Sequence, residues 1–223
     1  MNSQELILNE KHRGDCYKFL AACFYPPEKE LLLQENLLEN LSHSLSRICP
    51  QAGIFAAKME EAIRRYSHQE LSVEYARLFL GPYELQAPPY GSIYLDGQKR
   101  VMGDSTMEVL AVYQEAGLSL QEDFKELPDH IAVELEFMYY LTYQEVRALE
   151  NHDGKEAGKF LKFQENFLEN FLGRWVPPFC ARIKEGTQNE FYAALADCLD
   201  TLVYNPLSDL LPLLSQEITT SVY

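Results

Sequence analysis

Hydrophobic side chains recur every three or four residues along most of the chain, which is the spacing of helices with one buried face. Between residues 4 and 24, for example, Cys16, Leu20 and Cys23 fall on one stripe, and Pro26-Pro27 then ends the helix. Almost no segment shows the apolar and polar alternation of a half-buried strand. The pattern predicts an all-α fold, a single-domain bundle over residues 1–223 with about nine or more helices.

Prolines and capping residues predict several helix boundaries. Ser105 and Glu108 have the spacing of a capping box at the start of one helix. The pair Pro128-Asp129 opens the helix with the longest apolar stripe, and Pro177-Pro178 is expected to close a later one that is rich in phenylalanine. The other predicted helices cover residues 28–48, 54–66, 69–80, 104–117, 179–185 and 191–204.

Residues 82–102 break the helical pattern and predict a long loop. The segment holds three prolines, two glycines and three tyrosines, namely Tyr83, Tyr90 and Tyr94. Long ordered loops are usually functional, and proline lowers the entropy that such a loop loses on binding. A tyrosine face attracts a guanidinium group with about 0.5–2 kcal/mol. The loop predicts either a surface for an arginine-containing, partly apolar peptide or a segment whose tyrosines anchor it in the core.

The formal net charge of the chain is −15, from 34 acidic and 19 basic residues. Residues 104–150 carry 11 acids but only Lys125 and Arg147 as basic residues, so 9 of the 15 excess negative charges lie there. Nucleic-acid binding and electrostatic docking on anionic lipid both need clustered Lys and Arg, so both are disfavoured. A cationic partner is favoured near residues 104–150.

The N-terminus and the cysteines bear on the compartment. Residues 1–5 lack the basic character of a secretory signal, and no apolar run approaches the roughly 18 residues that span a bilayer. Five cysteines occur without a CxxC pair, so neither a disulfide framework nor a zinc site is predicted. We expect a cytoplasmic protein with buried thiols, without stable membrane insertion and without a bound cofactor or metal.

The pair Asp129-His130 lies at the start of the predicted long helix, and Glu134 follows one turn later. His130 and Glu134 share a helix face, as two metal ligands would, and Asp129 could complete such a site. The spacing is not that of an HExxH metalloprotease, and no glycine-rich phosphate loop is present. The simpler interpretation is that Asp129 caps the helix and that His130 is a satisfied histidine at its start.

Four sequence blocks occur in a fixed order within residues 71–145: 75–82 (YARLFLGP), 88–96 (PPYGSIYLD), 103–106 (GDST) and 128–138 (PDHIAVELEFM). In order and spacing they resemble the TorD/DmsD family of redox-enzyme maturation chaperones, and the motifs are most similar to those of DmsD. The flanking helices match the family only in length and character.

This resemblance implies an all-helical cytoplasmic chaperone and not an enzyme. Family members bind the N-terminal twin-arginine signal peptide of a molybdopterin oxidoreductase of the dimethyl-sulfoxide-reductase type. They hold the precursor until its cofactor is inserted and before export by the Tat pathway. The implied partners are this leader peptide and the precursor of a molybdoenzyme catalytic subunit, bound by a monomer or a domain-swapped dimer.

The resemblance also implies, by position, a signal-peptide-binding site in the aromatic block and the Asp-His pair. DmsD-type members have tryptophan where this chain has Tyr83, Tyr90 and Tyr94, so the leader preference is expected to differ. Asp129 would pair with a guanidinium group, and the apolar part of the leader would lie on the stripe that begins at Ile131. The implied site residues are Tyr83, Tyr90, Ser92, Tyr94, Leu95, Asp104, Asp129 and His130.

Two alternative functions stay open at this point. The first is a nitrate-reductase-type assembly chaperone for a non-exported molybdoenzyme subunit, which would bind a leader without paired arginines. The second is a metal hydrolase that uses Asp129, His130 and Glu134.

Overall fold

The computed structural model describes residues 3–81, 85–97, 101–119 and 125–204. In these ranges the chain is a bundle of α-helices without a strand, which confirms the predicted fold class. None of the described helices is long and apolar enough to cross a membrane. The helices are α1 (Ser3–Cys23), α2 (Lys29–Gln34), α3 (Leu37–Ile48), α4 (Pro50–Arg65), α5 (His68–Tyr75), α6 (Gly91–Leu95), α7 (Asp104–Glu115), α8 (Ile131–Glu150), α9 (Gly154–Phe167), α10 (Gly173–Gly186) and α11 (Glu190–Tyr204).

Helices α1 and α8 form the centre of the bundle. Helix α8 packs against α1 and α9, α3 lies against α1 and α4, and α11 packs against α4 and α10. The apolar stripe of α8 explains its central position, because Ile131, Leu135, Met138 and Leu141 are fully buried. The burial of such side chains is the main term that stabilises the bundle, at roughly 25 cal/mol per Å² of apolar surface. The five cysteines are all buried and free, as expected.

Two of the predicted helix boundaries are wrong. The helix predicted over residues 28–48 is divided into α2 and α3, because Asn36 takes a left-handed conformation with φ 49°. Pro177 and Pro178, expected to end a helix, lie inside α10. The φ angle of proline suits a helix, so the pair costs backbone hydrogen bonds without forcing a stop here.

Two helices widen into short π-helical turns that end at glycines. The first, Ala76–Leu80, continues α5 and ends at Gly81, whose φ of 83° favours glycine. The second, Leu168–Leu172, connects α9 with α10 and ends at Gly173. A Cβ atom at Gly173 would lie 2.6 Å from the carbonyl oxygen of Leu168, so this turn needs a residue without a side chain.

The predicted loop between α5 and α7 contains the short helix α6. The carboxylate of Asp96, directly after α6, accepts a hydrogen bond from the backbone N–H of Ser105 at 3.2 Å and so satisfies the start of α7. The capping box predicted for Ser105 and Glu108 is wrong, since the N-cap residue is Gly103 and the Ser105 hydroxyl is buried without a partner.

Candidate functional site

An antiparallel bridge joins the aromatic block to the Asp-His pair. The backbone N–H of Gly91 donates to the carbonyl of Asp129 at 2.8 Å, and the N–H of Ile131 donates to the carbonyl of Pro89 at 2.9 Å. Tyr90 and His130 are therefore a directly opposed pair without mutual hydrogen bonds, in which side chains come closest. Their ring centroids lie 5.3 Å apart. The two segments that the sequence singled out form one structural unit.

Asp129 and His130 each cap a different helix. The Asp129 carboxylate is fully buried, and its Oδ2 atom accepts a hydrogen bond from the backbone N–H of Ser92 in α6 at 2.9 Å. His130 is the N-cap residue of α8, and its Nδ1 atom accepts from the N–H of Ala132 at 3.2 Å. The prediction that Asp129 caps the long helix is wrong. The N-cap position of α8 is occupied by His130, which has the extended conformation that the bridge requires.

Gly91 lies close to a buried pair formed by Trp175 and Glu134. The indole N–H of Trp175 donates to Glu134 Oε2 at 2.9 Å. A Cβ atom at Gly91 would lie 3.1 Å from Trp175 Nε1 and 3.3 Å from Glu134 Oε1, so α6 approaches this pair through its backbone. Burial raises the pKa of Glu134 well above its usual value, the Trp175 hydrogen bond opposes this rise, and the nearby Asp129 charge adds to it.

A layer of buried polar atoms without partners lies where α6, α7 and α8 begin. None of these atoms has a hydrogen-bond partner among the described residues. An unpaired buried polar group costs about 1–3 kcal/mol, so these atoms lower the stability of the bundle. Unsatisfied groups of this kind are typical of functional regions. The layer consists of Ser92 Oγ, Ser105 Oγ, Thr106 Oγ1, Asp129 Oδ1 and Glu134 Oε1.

Two tyrosine–carboxylate pairs lie beside His130 at the surface. Tyr90 donates its hydroxyl hydrogen to Glu126 Oε1, and Tyr25 donates to Glu136 Oε1, each at 3.1 Å. The Tyr25 ring stacks on the His130 ring, with the centroids 6.2 Å apart and the planes 23° apart. Burial and then the Glu126 charge raise the pKa of Tyr90 to about 12, so this hydroxyl keeps its proton. Sequence reasoning missed Tyr25, Glu126 and Glu136, although the acidic excess pointed to this stretch.

The hydrogen bond at Nδ1 determines which tautomer the neutral His130 ring adopts. Because Nδ1 accepts a hydrogen bond, the neutral ring carries its proton on Nε2. Burial lowers the pKa of His130, and the charges of Glu126 and Asp129 oppose that shift. No described residue accepts a hydrogen bond from Nε2. The ring is 2% exposed, and its second N–H donor has no acceptor in the described part of the chain.

Tyr94 and Leu95 lie on α6, and their side chains pack against the hydrophobic core. The Tyr94 ring stacks on Trp175 at a centroid distance of 5.6 Å, and its hydroxyl donates to the carbonyl of Pro88 at 2.9 Å. The Arg182 guanidinium lies 5.8 Å from the Tyr94 ring centroid, so the chain itself supplies a cation there. Leu95 packs partly buried against the core. Tyr94 therefore fits the second expectation for the loop, that of an anchoring tyrosine.

Two further predicted residues do not join the bridge. Asp104 is exposed at the first position of α7, and the neighbouring Asp96, not Asp104, connects α6 with α7. Tyr83 lies outside the described residues. The structure therefore brings together Tyr90, Ser92, Asp129 and His130 from the predicted set.

The three residues of the metal-hydrolase alternative are engaged separately. Asp129 holds α6, His130 caps α8 and Glu134 binds Trp175. Within the described ranges no group of three or more His, Cys, Asp and Glu side chains could hold a metal ion. This arrangement gives no support to a metal-dependent hydrolase.

The apolar stripe of α8 is not available to a ligand. The expectation that a leader lies on the stripe that begins at Ile131 is wrong, because α1 and α9 bury it. Exposed apolar side chains occur instead around the start of α7, where Val101 is 42%, Met102 62% and Met107 60% exposed. Flexible methionines suit apolar partners of varied shape.

Comparisons with known proteins point to one family. The family described as "Nitrate reductase delta subunit" matches residues 47–181. The chain is 28% identical to the chaperone protein TorD of Aliivibrio salmonicida over 206 residues, which cover 89% of this chain and 94% of that protein. It is 31% identical to the selenate reductase assembly chaperone protein of Thauera selenatis, over 69% of this chain and 78% of that protein.

Two further similarities agree with that family. The chain is 30% identical to the Tat proofreading chaperone DmsD of Haemophilus influenzae, over 62% of this chain and 61% of that protein. A crystal structure of a redox enzyme maturation protein from Archaeoglobus fulgidus has the same fold, with a TM-score of 0.51 at 21% identity, over 84% of this chain and 90% of that one.

Proposed function

We propose, from the premise that the chain belongs to the nitrate reductase delta subunit (TorD) family of molybdoenzyme maturation chaperones, that it binds a twin-arginine signal peptide. The peptide is the leader of a molybdopterin oxidoreductase of the dimethyl-sulfoxide-reductase type. Acting as a chaperone and not as an enzyme, the protein holds the precursor in the cytoplasm until the cofactor is inserted, before export by the Tat pathway.

The bridge between Tyr90 and His130 is the observation that carries this proposal. It brings an aromatic segment and a histidine together beside two carboxylates, Glu126 and Glu136, in the most acidic stretch of the chain. Carboxylates and tyrosine faces are the groups that recognise guanidinium. The surface is suited to a cationic peptide.

Each part of the site has a role in this proposal. The Nε2–H of His130 donates to a backbone carbonyl of the leader, as an unused donor beside an extended peptide can. Asp129 does not touch the leader; its buried carboxylate positions α6 through Ser92. The apolar part of the leader lies on the exposed Met102 and Met107 near the start of α7.

Calorimetry with synthetic leaders tests the proposal. A peptide with two adjacent arginines followed by an apolar segment should bind, and replacing both arginines with glutamine should weaken binding strongly. Replacing both with lysine keeps the charge but loses the planar fork, so an intermediate affinity is expected. Equal affinity for all three peptides would contradict the proposal.

A substitution at His130 supplies the protein-side test. His130→Asn keeps a side-chain oxygen that can accept the Ala132 N–H, so the start of α8 stays capped while the ring and its Nε2 donor are lost. We expect an unchanged circular dichroism spectrum and weaker leader binding. Full binding by this variant would place the leader elsewhere.

The nitrate-reductase-type alternative is tested in the same assay. The description of the matching family favours it, and it predicts capture of an N-terminal peptide without paired arginines. If such a peptide binds and the arginine peptide does not, the alternative replaces the proposal.

A further inference from the structure

We propose that the surface around His130 contains two guanidinium seats, one formed by Tyr25 and Glu136 and the other by Tyr90 and Glu126. This inference rests on the proposed function and deepens it. The two seats receive two adjacent arginines of one leader at the same time, and His130 binds the backbone between them.

Each seat combines an aromatic face with an oriented carboxylate. In both seats the tyrosine hydroxyl donates to one carboxylate oxygen at 3.1 Å, which holds the carboxylate beside the ring. The second oxygen of Glu126 and of Glu136 has no partner among the described residues. A guanidinium that approaches either ring can therefore meet π electrons and a free carboxylate oxygen together.

Among the described residues, neither seat has a cation of the chain's own beside it, in contrast to Tyr94. No lysine or arginine of the described ranges forms an ion pair with Glu126 or Glu136. The Tyr94 ring already has the Arg182 guanidinium 5.8 Å from its centroid and Trp175 stacked on it. Cationic side chains satisfy many other surface acids in the bundle, for example Lys11 for Glu150 at 2.7 Å. Within the described part of the chain the two carboxylates therefore lack a compensating charge, which a leader could supply.

His130 gives a reason why the two arginines must be adjacent. Both tyrosine rings contact the His130 ring, whereas no contact joins the two tyrosine rings to each other. A peptide backbone that accepts a hydrogen bond from His130 Nε2–H lies between the two seats. In an extended backbone, successive side chains project to opposite sides. Arginines at positions i and i+1 therefore reach both seats, while arginines at i and i+2 project to the same side.

The spacing of the arginines is the decisive test. Isothermal titration calorimetry compares a synthetic leader that contains Arg-Arg with one that contains Arg-Ala-Arg and is otherwise the same. We expect the inserted alanine to weaken binding about fivefold to tenfold, because one exposed charge pair and one cation–π contact are lost together. Equal affinity of the two peptides would overturn the two-seat arrangement.

Matched charge variants assign the seats. Glu126→Gln and Glu136→Gln should each weaken Arg-Arg binding about twofold to fivefold. The control Glu61→Gln removes the same charge from the exposed surface of α4, where Glu61 is 74% exposed, and should change affinity less than about twofold. With the Arg-Ala-Arg peptide, one of the two seat substitutions should lose its effect, since that seat is then empty.

The two levels of inference fail in different ways. If the wild-type chain binds Arg-Arg but not Gln-Gln, while neither seat variant changes affinity more than the Glu61→Gln control, the seats are wrong and leader recognition stands. If the wild type does not distinguish Arg-Arg from Gln-Gln, the proposed function itself fails. The variants Tyr25→Phe and Tyr90→Phe keep the rings but remove the hydroxyl groups that hold the carboxylates. We expect them to lose less affinity for the Arg-Arg peptide than the two glutamate substitutions do.

Discussion

The buried carboxyl group of Glu134 should make the stability of the bundle depend on pH in a specific direction. Glu134 is fully buried, has one oxygen bonded to Trp175 and has the other without a described partner. Its pKa is raised well above the model-compound value of 4.5. A group of this kind is protonated in the folded state at pH values where the unfolded chain has already lost the proton. The contribution of Glu134 to the free energy of unfolding is therefore fully present below about pH 4.5, and it is lost as the pH rises through the pKa of the folded state.

The substitution Glu134→Gln removes this pH dependence and retains the shape. The amide oxygen of glutamine can still accept the Trp175 N–H. Within the window between the two pKa values, the folding constant of the wild type should fall roughly tenfold per pH unit relative to the variant. For a chain of this size that corresponds to about 3–5 °C in Tm for each pH unit. The variant should thus become the more stable protein as pH rises.

Urea and thermal unfolding between pH 4.5 and pH 8 measure this difference. The exposed Glu61→Gln variant is the control, because the loss of a surface carboxylate should leave the pH profile parallel to that of the wild type. Parallel profiles for Glu134→Gln and the wild type would refute the reasoning. They would mean that Glu134 ionises in the folded state as easily as in the unfolded chain.

Three further predictions concern the stability of the bundle and the binding of a leader. Gly91→Ala should lower the free energy of unfolding, measured in urea, by about 1–3 kcal/mol, because the added methyl group overpacks against Trp175. Gly158→Ala in α9, where a Cβ meets nothing within 4 Å, should raise it by about 0.5–1 kcal/mol. Burial lowers the pKa of His130 from 6.5, so its contribution to the free energy of unfolding is present above that pH and is lost as the pH falls through the pKa of the folded state. In His130→Asn, a plot of the free energy of unfolding against pH should therefore be flatter below pH 6.5. Leader affinity measured by calorimetry should fall with added salt, because exposed charge pairs are screened over about 10 Å at 0.1 M; a salt-independent affinity would contradict recognition by Glu126 and Glu136.

The sequence predicted the fold well because helix faces are encoded locally. The stripe through Ile131, Leu135 and Met138 predicted the helix α8, and the structure buries all three residues in the bundle, although the stripe was expected to receive the apolar part of a leader. Boundaries were less accurate where a single conformation decides them. The left-handed Asn36 divides one predicted helix, and the prolines at 177 and 178 fail to end another.

The site was predicted only where both partners lay in recognisable motifs. Tyr90 and His130 belong to two such motifs, and the bridge unites them. Tyr25 could not be found in this way, because its contact with His130 depends on the register with which α1 packs against α8. Periodicity predicts which face of a helix is buried but not which residue of a distant helix meets it. For the same reason, the burial of Glu134 against Trp175 has no signal in the local sequence.

Four carboxylates around the bridge divide into a buried pair and a surface pair, and this division separates stability from affinity. Asp129 and Glu134 are completely buried and hold α6 and Trp175, so the burial of these two carboxyl groups is an internal cost of the fold. Glu126 and Glu136 each accept a tyrosine hydroxyl near the surface and keep one oxygen unused. Neutralising a buried carboxylate should therefore move the unfolding profile, whereas neutralising a surface carboxylate should move leader affinity with little change in Tm. Had all four acids been surface ligands, as the charge excess of residues 104–150 alone would suggest, the four substitutions would behave alike.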